Sequence, residues 1–206
     1  MFIAIVTFDG FNEIDSLVAL HLFGRVRNPE WRVAIASNAA RVTSMNRLTV
    51  DAQASLLEAS DADVVLLGSG TNTLRIADDA QVMSQLRFDP QRQLIASQCS
   101  GALLLAKLGL LKDVPACTDS RTKPWVEKAG IEVLNQPFHA RSNVATAGGC
   151  LASVYLASWI IARTAGVQVV RDALSYVAPV GEKEAYISHA ISVIEPFIKT
   201  DAGMLA

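Results

Sequence analysis

Short apolar segments alternate with longer amphipathic segments along the chain. The short segments are rich in β-branched residues and end at turn-forming residues, as is typical of strands buried on both faces of a parallel sheet. The longer segments have helical periodicity, and glycines follow several of them where helix C-caps belong. Strands are predicted at Phe2–Thr7, Trp31–Ser37, Asp63–Leu67, Leu94–Gln98 and Val144–Thr146, and helices at Asp15–Arg25, Asp79–Phe88, Ser100–Gly109, Thr122–Ala129, Cys150–Ala165 and Glu184–Ile198.

Three further segments complete the predicted fold. A short strand is expected at Ile131–Leu134, and antiparallel additions at Arg41–Thr49 and Phe138–Thr146. The strand–helix alternation predicts an α/β fold of the flavodoxin-like, three-layer kind, with a mostly parallel sheet and helices on both faces. No repeat or long linker divides the chain, so we expect one domain over residues 1–206.

Composition and charge indicate which kinds of molecule the protein binds. Hydrophobic residues make up 51% of the chain and the net charge is −2, so nothing favours a nucleic acid or an anionic membrane. A small neutral substrate fits better. No apolar run approaches the ~18 residues of a membrane span, and the N-terminal segment lacks the features of a signal peptide. We therefore expect a cytoplasmic protein.

The three cysteines, Cys99, Cys117 and Cys150, are an odd number without metal-type spacing, which favours neither a disulfide framework nor a zinc site. A P-loop and a dinucleotide-binding glycine fingerprint are also absent from the sequence. These observations predict a protein that works without a cofactor or a metal. In a reducing compartment the cysteines are free thiols.

Cys99 is the leading candidate for chemistry. It lies in Ser97-Gln-Cys-Ser-Gly101, between an apolar strand and a predicted helix, with small residues two positions before and after it. This spacing is typical of a nucleophile elbow, here with cysteine as the nucleophile. A helix N-terminus favours a thiolate, so we expect a lowered thiol pKa. The alternative is a buried cysteine that acts as a small hydrophobe.

Two other turns are predicted at the same edge of the sheet, where ligands bind in open parallel sheets. Gly68-Ser-Gly70-Thr71 follows one strand, and the amides of Gly70 and Ser100 would form an oxyanion-type pocket. Without ligand binding, this is a tight turn between strand and helix. Asp15 ends an acidic loop after the first strand, and a purely structural role as helix N-cap would also explain it.

The order of first strand, acidic loop, glycine turn, cysteine elbow and Ala147-Gly-Gly149 turn resembles the DJ-1/PfpI superfamily, whose flavodoxin-like fold is related to class I glutamine amidotransferases. The resemblance covers roughly residues 2–180. Within the superfamily, Ile14-Asp15 and Tyr176-Val-Ala-Pro179 are most similar to isocyanide (isonitrile) hydratases.

The resemblance implies roles for several residues. Asp15 would be a carboxylic acid hydrogen-bonded to the sulfur of Cys99, while Gly70, Ser100 and neighbouring Thr71 would lie at the substrate. Isocyanide hydratases add water across R–N≡C to give an N-formamide through a thioimidate on the cysteine. In such an enzyme Asp15 would move the protons. A homodimer with its active sites near the interface is also implied.

One position departs from the pattern. Many relatives carry a histidine about twenty residues after the cysteine, but this chain has Thr118-Asp119 there. Asp119 would orient a water or the thiol, with Thr118 a lesser candidate, although a solvated loop aspartate is the commoner case. The histidines, His21, His139 and His189, lie elsewhere, so a peptidase-type cysteine–histidine pair is not expected.

Other functions remain open at this stage. Cys117 is expected to be a buried structural thiol, whereas Cys150, after a glycine turn, is a possible second reactive thiol. A redox or stress sensor that oxidises Cys99 would need the same activated sulfur as an enzyme. A ligand-sensing domain of a transcription regulator is the third class, and the absence of a basic extension before Ala206 argues against a complete regulator.

Overall fold

A seven-stranded sheet forms the centre of the protein in a computed structural model that describes residues 1–198. The strands lie in the order β5-β2-β1-β6-β7-β9-β8, and all neighbours are parallel except β8 and β9. These are β1 (Phe2–Val6), β2 (Arg32–Ser37), β5 (Ala54–Ser55), β6 (Val64–Leu67), β7 (Leu94–Gln98), β8 (Phe138–Arg141) and β9 (Val144–Ala147), while β3 (Arg41–Thr43) and β4 (Thr49–Asp51) form a separate antiparallel pair.

Helices cover both faces of the sheet, which confirms the predicted flavodoxin-like α/β class. They are α1 (Glu13–Phe23), α2 (Leu56–Ser60), α3 (Thr73–Ala77), α4 (Ala80–Met83), α5 (Gly101–Lys107), α6 (Lys123–Lys128), α7 (Ser153–Ala165), α8 (Val167–Val177) and α9 (Lys183–Ile194). Short 3-10 helices occupy Cys150–Ala152 and Glu195–Phe197. No helix in the described part of the chain is long and apolar enough to cross a membrane.

Two hydrophobic cores lie on opposite faces of the sheet because successive strand side chains alternate in direction. In β1, Ile3 and Ile5 enter the core that contains α1 and α7, whereas Ala4 and Val6 enter the core that contains α5. Trp159 of α7 is fully buried in the first core, and its indole N–H donates to Phe197 O at 2.9 Å. The sheet is thus covered on both sides, as the apolar strands predicted.

The predicted elements differ from the structure in several places. Residues 79–88 were expected to form one helix, but only Ala80–Met83 is helical there and α3 precedes it. The strand expected at Ile131–Leu134 is reduced to a single bridge between Ala116 and Val133. Both segments are short, and local propensity alone does not decide between turn and regular structure.

Four elements were not predicted at all: β5, α2, α3 and α8. The first three are only a few residues long. Helix α8 is longer, but it follows Gly166, whose φ of 93° ends α7 and redirects the chain. The predicted last helix, Glu184–Ile198, is divided in the structure into α9 and a 3-10 turn that contains a proline. Proline cannot supply the backbone N–H that the interior of an α-helix requires.

Candidate active site

Cys99 lies in the sharp turn between β7 and α5, as the spacing of small residues predicts. Its φ of 45° is in the left-handed region, which non-glycine residues seldom adopt. Gly101 makes the turn possible: a Cβ at this position would lie 2.7 Å from Leu67 O and 2.8 Å from Gly68 O. The hydroxyl of Thr118 donates to Cys99 O at 2.8 Å and braces the elbow from the other side.

Asp15 lies beside this turn, brought there by the helix that follows the central strand. It occupies the first turn of α1 and its side chain is fully buried. The helix N-cap is Asn12, whose Oδ1 accepts from Ile14 N at 3.1 Å, so the interpretation of Asp15 as N-cap is wrong. Asp15 is therefore not needed to begin the helix, and its carboxyl group lies beside the sulfur atoms.

The third member of the group is Cys150, which begins the 3-10 helix after β9. One ligand atom each from Asp15, Cys99 and Cys150 lie within 4.8 Å of one another. Cys99 is 3% exposed, whereas Cys150 is half-buried. The three side chains come from segments far apart in sequence, and they meet because β1, β7 and β9 end at the same edge of the sheet.

Hydrogen bonds fix one side of the Asp15 carboxyl group and leave the other side open. Ser69 Oγ donates to Asp15 Oδ2. Within residues 1–198, Asp15 Oδ1 makes no hydrogen bond of normal geometry, although the thiols of Cys99 and Cys150 interact with this carboxyl group. An unpaired oxygen on a fully buried carboxyl group is costly, so this atom is poised to accept a proton or a hydrogen bond from a thiol.

Burial raises the pKa of Asp15, because the ionised carboxylate loses its hydration; hydrogen bonds from Ser69 and the thiols oppose this shift. Burial likewise raises the pKa of Cys99, and the charge of Asp15 raises it further. The expectation of a lowered thiol pKa is therefore wrong for the unliganded site. Helix α5 has only seven residues, and its dipole does not outweigh desolvation.

The sulfur atoms have polar neighbours that the sequence analysis did not identify. Gln98 Nε2 donates to Cys99 Sγ at 3.4 Å and to Gly149 O at 2.8 Å. Asn12 Nδ2 donates to Cys150 Sγ at 3.2 Å. Gln98 directly precedes Cys99, and Asn12 directly precedes α1. This closeness in sequence is the only signal that could have identified them, because the tertiary fold decides that their side chains point at the sulfur atoms.

The predicted oxyanion residues lie together next to the elbow. Gly70 N donates to Ser100 Oγ at 3.2 Å, and Ser100 Oγ is 2.7 Å from Thr73 Oγ1. The Gly70 N–H is therefore already used in a hydrogen bond, and it would have to give up the Ser100 hydroxyl in order to donate to a substrate. Thr71 turns instead toward the first loop, where its N–H donates to Gly10 O at 2.9 Å. Its visible role is to brace that loop.

Asp119 is held in a turn rather than directed at Cys99. Its Oδ1 accepts from Arg121 N at 2.9 Å and from Thr122 N at 3.0 Å, and its Oδ2 accepts from Thr122 Oγ1 at 2.6 Å. This is the structural role considered for it. Its remaining influence on the site is electrostatic, because its charge contributes to the raised pKa of Asp15.

Cys117 and the three histidines lie outside the group around Cys99, as the sequence predicts. Cys117 is fully buried; its N–H donates to Thr146 Oγ1 at 2.8 Å, and burial raises the pKa of its thiol to about 12. His21, His139 and His189 are in α1, β8 and α9, each beside an aromatic ring. None belongs to the group around Cys99.

Two thiols and a carboxylate are also a possible ligand set for a metal ion. Soft and borderline cations such as Zn²⁺ and Cu⁺ prefer thiolate ligands. No local spacing in the sequence indicates this group, because each ligand comes from a different turn. The geometry alone therefore permits either proton transfer among these three groups or binding of a metal ion by them.

Comparisons with known proteins agree with this architecture. Residues 1–163 match the model of the DJ-1/PfpI family. No curated protein matches the chain. Among solved structures, a ThiJ/PfpI family protein from Pseudomonas syringae is similar with a TM-score of 0.78 and 21% identity, over 96% of this chain and 87% of that one.

Two DJ-1 structures are also similar. Schizosaccharomyces pombe DJ-1 has a TM-score of 0.68 and 16% identity, over 93% of this chain and 99% of that one. Oxidised DJ-1 from Toxoplasma gondii has a TM-score of 0.73 and 15% identity, over 87% and 98% of the two chains. At these identities the structures establish a shared fold.

Proposed function

The chain belongs to the DJ-1/PfpI family, and on this basis we propose that it is a cofactor-independent cysteine enzyme that hydrates an isocyanide to an N-formamide. The observation that carries the proposal is the buried Asp15, with one carboxyl oxygen unpaired beside the thiol of Cys99. An acid in this position can take the thiol proton and return it to the substrate.

The reaction begins with addition of sulfur to the terminal carbon of R–N≡C. Cys99 Sγ forms the new C–S bond while its proton passes through Asp15 to the same carbon, which gives the thioimidate R–N=CH–S–Cys. Water then adds to this carbon and the C–S bond breaks. The products are R–NH–CHO and the free thiol, so one water is consumed and no electrons are gained or lost.

The raised pKa values are compatible with this cycle. When Asp15 and Cys99 share a single proton, the pair carries one negative charge whether the proton is on the sulfur or on the carboxyl group, so moving the proton does not change the net charge of the buried site. A neutral substrate adds no charge to it either. A substrate that must bury a further charge would be much less favourable.

A homodimer is part of the proposal. Ile14 and Leu151 are 42% and 75% exposed, although both are large and apolar, and each directly adjoins a member of the site, Asp15 or Cys150. Helix α1 also contacts the 3-10 helix that carries Leu151. A second copy of the chain over this surface would shield the apolar side chains and restrict access of water to the sulfurs.

The test is an assay of purified protein with a simple aryl isocyanide, in which formamide is measured by chromatography. Wild type and Cys117→Ala should turn over at the same rate, because the Cys117 thiol does not belong to the group formed by Asp15, Cys99 and Cys150. Cys99→Ala should fall to the uncatalysed rate, and Asp15→Asn should lose at least about a hundredfold, as expected for a general acid–base. Product formation that is equal in wild type and Cys99→Ala would exclude this proposal.

A further inference from the structure

Cys150 is the one reactive-type side chain of the cluster that the proposed reaction does not use. It is held close to Cys99 by the pairing of β7 with β9, which places Gln98 opposite Ala147. Cys99 N donates to Ala147 O at 2.8 Å, and the Gln98 side chain binds Gly149 O. The two turns that carry the sulfur atoms are therefore tied to each other on both sides.

The space around the two turns differs only next to Cys150. The elbow is fixed, because Gly101 is packed against backbone oxygens and Thr118 holds Cys99 O. Gly148 is also packed, since a Cβ there would lie 2.3 Å from Thr118 O, but at Gly149, directly before Cys150, no atom lies within 4 Å of the place of a Cβ. Cys150 Sγ lies within 4.8 Å of Cys99 Sγ, so a movement confined to Gly149 and Cys150 suffices to bring the two sulfurs to the bonding distance of about 2.05 Å.

We propose that Cys99 and Cys150 form an intramolecular disulfide when the protein meets a hydroperoxide. Peroxide reaches Cys150 first, because this thiol is the more exposed of the two and receives an N–H from Asn12. Burial and Asp15 raise the pKa of Cys150, so the thiol first gives its proton to Asp15. The Cys150 thiolate then attacks the O–O bond, which breaks to leave a sulfenic acid on Cys150, and the leaving hydroxide or alkoxide takes the proton back from Asp15 as water or an alcohol.

Cys99 then resolves the sulfenic acid. The unpaired Oδ1 of Asp15 accepts the Cys99 proton, and the thiolate attacks Cys150 Sγ. The S–O bond breaks, and the hydroxide that leaves takes up a proton as water. Overall, two thiols lose two electrons and two protons to one peroxide. The step requires no metal and no group other than the peroxide itself.

The disulfide would protect Cys99 and stop its chemistry at the same time. A buried sulfur engaged with Cys150 can neither add to a substrate nor proceed to the irreversible sulfinic acid. Reduction by a dithiol would restore the free thiols. This chemistry is independent of the isocyanide reaction, and it is measured without any substrate.

The experiment treats the reduced full chain with a small molar excess of hydrogen peroxide, blocks the remaining thiols and maps the peptides by mass spectrometry. Wild type and Cys117→Ala should lose two thiols each and yield a Cys99–Cys150 crosslinked peptide that dithiothreitol removes. Cys99→Ala should accumulate a sulfenic acid on Cys150 that dimedone traps. In Cys150→Ala, Cys99 should proceed to the sulfinic acid, with circular dichroism confirming that each variant is folded.

Two results would overturn the proposal. One is a wild-type protein in which Cys99 gains two oxygens as fast as in Cys150→Ala, since Cys150 would then protect nothing. The other is a crosslink that joins separate chains on a non-reducing gel. Loss of isocyanide turnover in the wild type has no bearing on either readout, so failure of the proposed function and failure of the disulfide can be told apart.

Discussion

Replacement of Cys99 by alanine and by glycine measures the backbone cost of the elbow. With φ at 45°, residue 99 lies in the left-handed region, where a side chain costs roughly 1–2 kcal/mol that glycine does not incur. Glycine has two opposing costs: about 0.5–1 kcal/mol of chain entropy and about 0.8 kcal/mol for a lost buried methyl group. These contributions nearly cancel, so Cys99→Ala and Cys99→Gly should have nearly equal stability.

Ala102 provides the matched control. It is fully buried in α5, three residues after Cys99, with ordinary helical backbone. Ala102→Gly has the same entropy and methyl costs but no relief of strain, so it should lose about 1–2 kcal/mol. The alanine-to-glycine step should therefore be about 1–2 kcal/mol less costly at position 99 than at position 102. In thermal unfolding this is a gap of about 2–4 °C for each kcal/mol.

Urea unfolding at neutral pH, followed by circular dichroism, gives the four free energies directly. The strained-elbow interpretation fails if alanine-to-glycine exchange costs the same at positions 99 and 102. In terms of the four proteins, that result is a free-energy difference between Cys99→Ala and Cys99→Gly that equals the difference between wild type and Ala102→Gly. Catalysis does not enter this comparison, because both substitutions at position 99 remove the sulfur.

Two further predictions concern the acid and the exposed apolar surface. Asp15→Asn should raise the unfolding temperature at pH 7. The folded-state pKa of Asp15 is raised above the ordinary 3.8, so the stability that the protonated carboxyl group contributes is fully present below pH 3.8 and is lost as the pH rises through the folded-state pKa. Asparagine stays neutral and does not incur this loss. The gain should vanish near pH 3, and a constant gain at all pH values would contradict it. Leu151→Lys should convert a dimer to a monomer in sedimentation velocity, whereas Leu57→Lys, at a similarly exposed leucine on α2, should not; unchanged sedimentation of Leu151→Lys would exclude this interface.

The sequence was informative about the elbow because its requirements are local. Small residues at positions 97 and 101 around Cys99, after an apolar strand, are required by a turn in which the backbone of β6 approaches Gly101 closely. The parallel sheet was predictable for a similar reason, since strands buried on both faces must be apolar throughout. In both cases the contact is between distant segments, but the residue types that it requires stand within a few residues of one another in the sequence.

The surroundings of the sulfurs were less predictable because they depend on tertiary contacts. Asn12 rather than Asp15 caps α1, and a shift of three residues in the start of the helix moves Asp15 from the cap into the core. The predicted direction of the Cys99 pKa shift was wrong because the prediction considered the helix dipole but neither the burial of the thiol nor the charge of Asp15. The hydrogen bonds of Ser69 to Asp15 and of Gln98 to Cys99 could be identified only from the three-dimensional structure.

The position of β9 between β7 and β8 has a consequence for how the protein is made. Asp15 and Cys99 are synthesised early, but the strand that places Cys150 beside them ends at Ala147. Until that strand has left the ribosome and paired, Cys99 N has no acceptor at Ala147 O and the Cys99 thiol has no Cys150 beside it. The complete group of two thiols and one carboxyl group is therefore absent from the growing chain, and it forms only when the sheet is nearly complete.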